Sequence, residues 1–72
     1  MNPTPAEIIA SRHAAGLTQR QAAAEIGMSW RAWQQWEYGR ARMPAPAWAV
    51  HRLMRCEEGR AALALVGWPC AT

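Results

Sequence analysis

Apolar positions recur along the chain at three- and four-residue spacing in short blocks, each bounded by a capping residue and by glycine or proline. Thr4-Pro5-Ala6-Glu7 combines an N-cap hydroxyl, proline at the first helical position and glutamate three residues after the cap. The helix this predicts places Ile8, Ile9, Arg12 and Ala15 on one face and stops at Gly16. Thr18-Gln19-Arg20-Gln21 repeats the capping box with glutamine as the reciprocal partner. Ala22, Ala23 and Ile26 form the apolar side of this second helix, and Gly27 ends it. Ser29 caps a third helix in which Trp33 and Trp36 are an i, i+3 pair and which closes at Gly39. Residues 40–44 read as a basic loop. Pro46 opens a fourth helix with Val50, Leu53 and Met54 facing inward, Gly59 bends or ends it, and a short apolar helix over 61–66 stops at Gly67. No run alternates with the period of a strand. The pattern predicts an all-α domain, a compact bundle of four to five helices.

The link between the second and third helices is the informative one. Only Gly27 and Met28 separate the second helix from the Ser29 cap, and so tight a connection is the geometry of a helix-turn-helix. Ala22 and Ala23 are small enough to let the third helix approach closely. Sixteen alanines and no phenylalanine leave five tryptophans to supply most of the bulk, so Trp33 and Trp36 are expected in the core rather than stacked on bases.

Charge points the same way. All eight cations are arginine and all five anions glutamate, for a net charge of +3. Residues 12–55 hold seven arginines and two glutamates, against one arginine and three glutamates elsewhere. Codon usage in a GC-rich genome accounts for arginine over lysine, but not for its clustering in the middle of the chain. A basic middle suits a polyanion such as nucleic acid.

The ordered set Gly16-Leu17-Thr18-Gln19, Ala22-Ala23, Ile26-Gly27-Met28-Ser29 and Trp36-Glu37-Tyr38-Gly39-Arg40 resembles the helix-turn-helix domain of phage Cro and CI-type (XRE-like) repressors. The resemblance covers about residues 5–55. It implies an ion pair between Arg12 on the first helix and Glu37 at the end of the recognition helix, a solvated face being the alternative for both. It also implies that the loop carrying Arg40 and Arg42 runs along the DNA backbone. Thr18-Gln19-Arg20-Gln21-Ala22-Ala23, Ser29-x-Arg31 and Met43-Pro44-Ala45-Pro46 leading into Ala49-Val50 are similar, further, to small regulators encoded beside anti-CRISPR genes. That resemblance implies a short Cro-like dimer repressing its own operon.

Candidate DNA contacts follow from position on the helices. Arg31, Gln34 and Gln35 share a face of the third helix; Arg31 can donate twice to guanine and Gln35 can grip adenine. A phosphate contact alone is the plainer reading of Arg31. Trp30, at the exposed first turn, departs from the polar residue usual there; it can pack on a thymine methyl or a sugar, or belong to a protein contact. Phosphate contacts are expected from Gln19 and Arg20 in the first turn of the second helix, from Ser29 beyond its capping role, and from Arg40 and Arg42. Arg52 and Arg55 read as ordinary surface charges.

A chain of 72 residues buries a marginal core, about 60% of its unfolded surface, and one such unit covers few base pairs. A homodimer on an inverted-repeat (palindromic) double-stranded operator resolves both problems. Leu63, Leu65, Val66 and Trp68 are the expected interface, covering the core from the other side being the alternative, so residues 1–72 read as one domain, with 56–72 the dimerisation segment. Leu53 and Val50 are assigned to the core.

Other classes are disfavoured. The longest apolar run is too short to span a bilayer, and the N-terminus lacks the order of a signal peptide, so a cytoplasmic protein without membrane contact is expected. Cys56 and Cys70 with His13 and His51 lack metal-ligand spacing and read as free thiols and ordinary histidines, so neither metal nor cofactor is expected. There is no aspartate, no local catalytic arrangement and no glycine-rich phosphate loop, so an enzyme is not expected, nor is a small-molecule effector. An antitoxin, or a protein-binding module that kept the fold, are the alternatives to a repressor.

Overall fold

The computed structural model describes residues 2–67, which form five helices and no strand: α1 Pro5–Ala14, α2 Gln19–Glu25, α3 Trp30–Glu37, α4 Ala45–Leu53 and α5 Glu57–Leu65. Local chemistry sets the starts. Thr4 and Thr18 each accept from the backbone N–H three residues on, while Glu7 and Gln21 accept from the cap backbone in return. Ser29 Oγ accepts from the Ala32 N–H at 3.1 Å and starts α3. The turn into α3 needs a left-handed residue, and Gly27 provides it at φ +69° without the Cβ strain any other side chain would meet.

The core is small and bulky at one point. Trp33 is fully buried and packs edge-on against Trp36 at 5.7 Å between ring centroids. Ile8 from α1 and Ala22, Ala23 and Ile26 from α2 surround the pair. The alanines let α2 lie close to α3, so that two tryptophans and a few aliphatic groups fill the interior.

Several elements depart from the pattern. Met43 sits in what reads as a basic loop yet is fully buried, its carbonyl held by Asn2 Nδ2 at 2.7 Å. In α4 the inward residues are His51 and, in part, Ala47, Trp48 and Val50; Leu53, expected in the core, is 42% exposed. Two residues beyond His51 on a helix is roughly 200° of rotation, so burying His51 turns Leu53 outward. Gly59 does not bend or end α4, which stops at Leu53. It is the third residue of α5, whose start at Glu57 precedes the expected 61–66 stretch because Cys56 Sγ accepts from the Gly59 N–H at 3.2 Å and serves as the cap. A Cβ on Gly59 would lie 2.2 Å from the Leu53 carbonyl oxygen, so its smallness sets how tightly α5 folds back on α4.

His51 is the unexpected centre of the second packing layer. Its ring stacks on Trp48 at 5.5 Å and meets Trp33 edge-on at 5.3 Å, and Nε2 lies 2.8 Å from Ser11 Oγ on α1. Nδ1 has no hydrogen-bond partner among the described residues. The Nε2–H tautomer is the cheaper one, because it leaves only a lone pair unsatisfied. Burial, then the nearby Arg55 charge, lower the His51 pKa below its ordinary 6.5, which keeps the ring neutral.

Candidate nucleic-acid interface

α3 divides into two faces. Trp33, Trp36 and Glu37 turn inward, whereas Trp30, Arg31 and Tyr38 are exposed, with Gln34 and Gln35 half-buried between them. The outward stripe therefore presents a guanidinium, two primary amides and a phenol along one helix face. Tyr38, which lies one turn beyond Gln34 and two beyond Arg31, is not among the contacts expected from the sequence.

Behind that face lies a chain of hydrogen bonds that fixes α3 to α1 and α2. Arg12 on α1 donates from Nε to Glu37 Oε2 at 2.5 Å and from Nη2 to Oε1 at 3.2 Å, and its Nη1 donates to the Leu17 carbonyl at 3.0 Å. Trp33 Nε1 donates to Glu37 Oε2 at 2.7 Å, and Gln19 Nε2 donates to Oε1 at 2.9 Å. Burial alone pushes the Glu37 carboxyl up, but the bonds from Arg12, Gln19 and Trp33 outweigh it and leave the pKa below the ordinary carboxylate value. Glu37 is thus an anion held by four donated bonds at the point where three helices meet.

Gln19 carries the chain outward. Its Oε1 accepts from Trp30 Nε1 at 3.3 Å, and the Arg20 guanidinium lies over the Trp30 ring at 4.2 Å from the centroid. Gln19, read as a phosphate contact, is thus also a strut between Glu37 and the first turn of α3. Arg20 remains exposed at the α2 start, next to that turn.

The remaining charges sort by partner. Among residues 12–55, Arg12 is engaged with Glu37, and Arg55 reaches Glu25 with Nη2 at 2.5 Å. Arg55 is therefore not the ordinary surface charge expected of it: it is partly buried and ties the α4–α5 turn to α2. Arg52 stays on the surface, its guanidinium 5.6 Å from the Trp48 ring centroid. Arg20, Arg31, Arg40 and Arg42 are exposed at the α2 start, the α3 face and the following loop. Ser29 is also exposed, its Oγ already capping α3.

On α5, Leu65 is 89% and Val66 79% exposed, while Leu63 is half-buried. Trp68 and Cys70 lie outside the described residues. Among the described residues no helix is long and apolar enough to cross a membrane, and no group of His, Cys, Asp or Glu is placed to hold a metal ion.

A two-helix unit joined by a glycine turn, with its second helix braced from behind and polar in front, defines the helix-turn-helix class. The comparison with known families agrees: residues 6–56 match the helix-turn-helix domain model, and the chain belongs to that family. No curated relative matches the sequence significantly. Membership makes this a DNA-binding regulator in its general class.

Proposed function

We propose that the protein is a sequence-specific transcriptional repressor of Cro/CI type, which binds an inverted-repeat operator in its own promoter as a homodimer. The observation that carries the reading is the outward face of α3, where Arg31 stands exposed ahead of Gln34 and Gln35 on a helix locked in place by Glu37. Arg31 donates in bidentate fashion to a guanine edge, Gln35 and Gln34 read the next base pairs, and Trp30 contacts the first. Gln19, Arg20, Ser29, Arg40 and Arg42 take the phosphates on either side. Exposed apolar groups at the end of α5 support pairing of two copies, with half-sites about 34 Å apart. The likeness of Thr18–Ala23 and Ser29-x-Arg31 to anti-CRISPR-associated regulators favours a phage or mobile-element operon as the setting.

The test is binding to the DNA immediately upstream of the gene at about 50 and 200 mM salt against scrambled competitor. Selective binding that survives the higher salt is expected. Arg31→Ala should lower affinity and sequence preference together by about 1–3 kcal/mol per half-site. Arg42→Ala should weaken all sequences alike and reduce the salt slope by roughly 0.9 per half-site. Salt-labile binding indifferent to sequence would leave only phosphate contacts and point to a module that binds protein.

A further inference from the structure

The side chain at the leading end of α3 has an unusual inventory for a group that faces a major groove. Trp30 is 40% exposed, yet its single polar atom, Nε1, already donates to Gln19 Oε1. Gln19 in turn is held through Nε2 by Glu37, itself buried against Arg12 and Trp33, so the indole is fixed in orientation by a strut that reaches the core. The Arg20 guanidinium covers the ring at 4.2 Å. What is left of the exposed surface is carbon and aromatic C–H. It can make no hydrogen bond to a base edge.

The floor of the major groove offers one projecting apolar group, the methyl on C5 of a pyrimidine; apart from flat ring C–H edges, the other exposed features are donors or acceptors. Polar edges pressed against the free carbon surface of Trp30 would lose water without gaining a partner. From this match we infer that Trp30 is a specificity-determining residue that reads a pyrimidine C5-methyl group at the outer end of each half-site. The chemistry is shared by thymine and 5-methylcytosine. Arg20 contributes by stacking its charge on the ring, which holds the indole in place. The inference rests on α3 being the DNA-reading helix, as proposed above.

The test begins with duplexes that the wild-type protein selects from a random pool. One selected sequence is then synthesised with thymine, with uracil in place of every thymine, and with 5-methylcytosine in place of every cytosine. Loss of about fourfold affinity per half-site on going from thymine to uracil is expected if thymine is the source, the ratio for one methyl group removed from water. Insensitivity to uracil with a similar gain on cytosine methylation assigns the methyl to 5-methylcytosine. In either case Trp30→Ala should erase the dependence, and Trp30→Phe, which keeps a carbon face but loses the Nε1 bond, should retain it. Trp30→Ser serves the same comparison should the alanine variant prove unstable by circular dichroism. Equal affinity of the wild type for all three duplexes, or a methyl dependence that persists in Trp30→Ala and Trp30→Ser, overturns the inference while leaving sequence-specific binding intact. Failure of the wild type to select any sequence overturns instead the reading on which it rests.

Discussion

Arg12 and Glu37, 25 residues apart in sequence, meet at 2.5 Å and join α1 to the last turn of α3. Both side chains are largely withdrawn from water, and Glu37 also receives bonds from Gln19 and Trp33. Removing one partner leaves a buried charge without its counterion, which costs about 3–5 kcal/mol. Arg12→Ala should therefore destabilise the fold by that order, a large share of the total for a domain this small. Arg12→Met with Glu37→Leu together should cost much less than the two single changes summed, because no orphan charge remains. Urea denaturation of the four proteins measures this, and additivity within about 0.5 kcal/mol would show that the pair is not coupled.

Acid should loosen the protein in two steps. His51 has a folded pKa below its ordinary 6.5 because it is buried and faces Arg55 and Arg52, with Glu25 opposing them. The unfolded chain therefore takes up the proton first, so the contribution of the neutral ring is whole above about pH 6.5 and is lost as pH falls toward the folded value. The slope in that window is at most about 1.4 kcal/mol per pH unit. Glu37 acts in the same direction lower down: its depressed pKa gives stability that is complete above the ordinary 4.5 and disappears as pH drops through the folded value. Denaturation midpoints at pH 7, 6 and 5 test the first step. His51→Leu should flatten the profile between pH 7 and 5 and leave the fall below pH 4.5 in place.

Gly59 should resist a change that helix propensity favours. Alanine in a helix is ordinarily better than glycine by roughly 1 kcal/mol. Here its Cβ would fall 2.2 Å from the Leu53 carbonyl oxygen and 2.9 Å from Cys56 Sγ, and the carbonyl belongs to backbone at the end of α4. Gly59→Ala is expected to destabilise by about 1–3 kcal/mol, as overpacking does. A raised melting temperature would mean that the α4–α5 turn opens without strain.

How far the chain could be read before its structure depends on how local each determinant is. The capping boxes at Thr4 and Thr18, the Ser29 cap and the Gly27 turn act within four residues, and they were legible with the helices they start. The inward placement of Trp33 and Trp36 followed from helical spacing and the shortage of other bulk. His51 was not legible: a histidine reads as polar until Trp33, Trp48 and Ser11 are brought around it from three helices. The outward turn of Leu53 is illegible for the same reason, since α4 is apolar on most sides and only the buried ring fixes its rotation. Gln19 shows the limit within the candidate interface itself. Its place at the start of α2 marked it as a DNA contact, but its service to both Glu37 and Trp30 depends on how the first turns of α2 and α3 come together.

In the proposed homodimer, the end of α5 is the surface that would bring a second recognition helix to the DNA. Leu65 and Val66 are exposed on a chain whose interior holds few large aliphatic groups, and their burial against a second copy would remove apolar surface that the monomer leaves in water. Leu65→Asp should leave the melting of the monomer nearly unchanged, because the side chain is 89% exposed and has little to lose within its own fold. In a pair of copies the same change puts two carboxylates into an apolar contact. Sedimentation equilibrium should then show a dimer for the wild type and a monomer for the variant at equal concentration. Operator affinity should fall with it, since a single half-site retains only its own contacts, whereas half-site binding at high protein concentration should persist. Two dimers would remove Leu65 from the interface, and two monomers would overturn the homodimer itself.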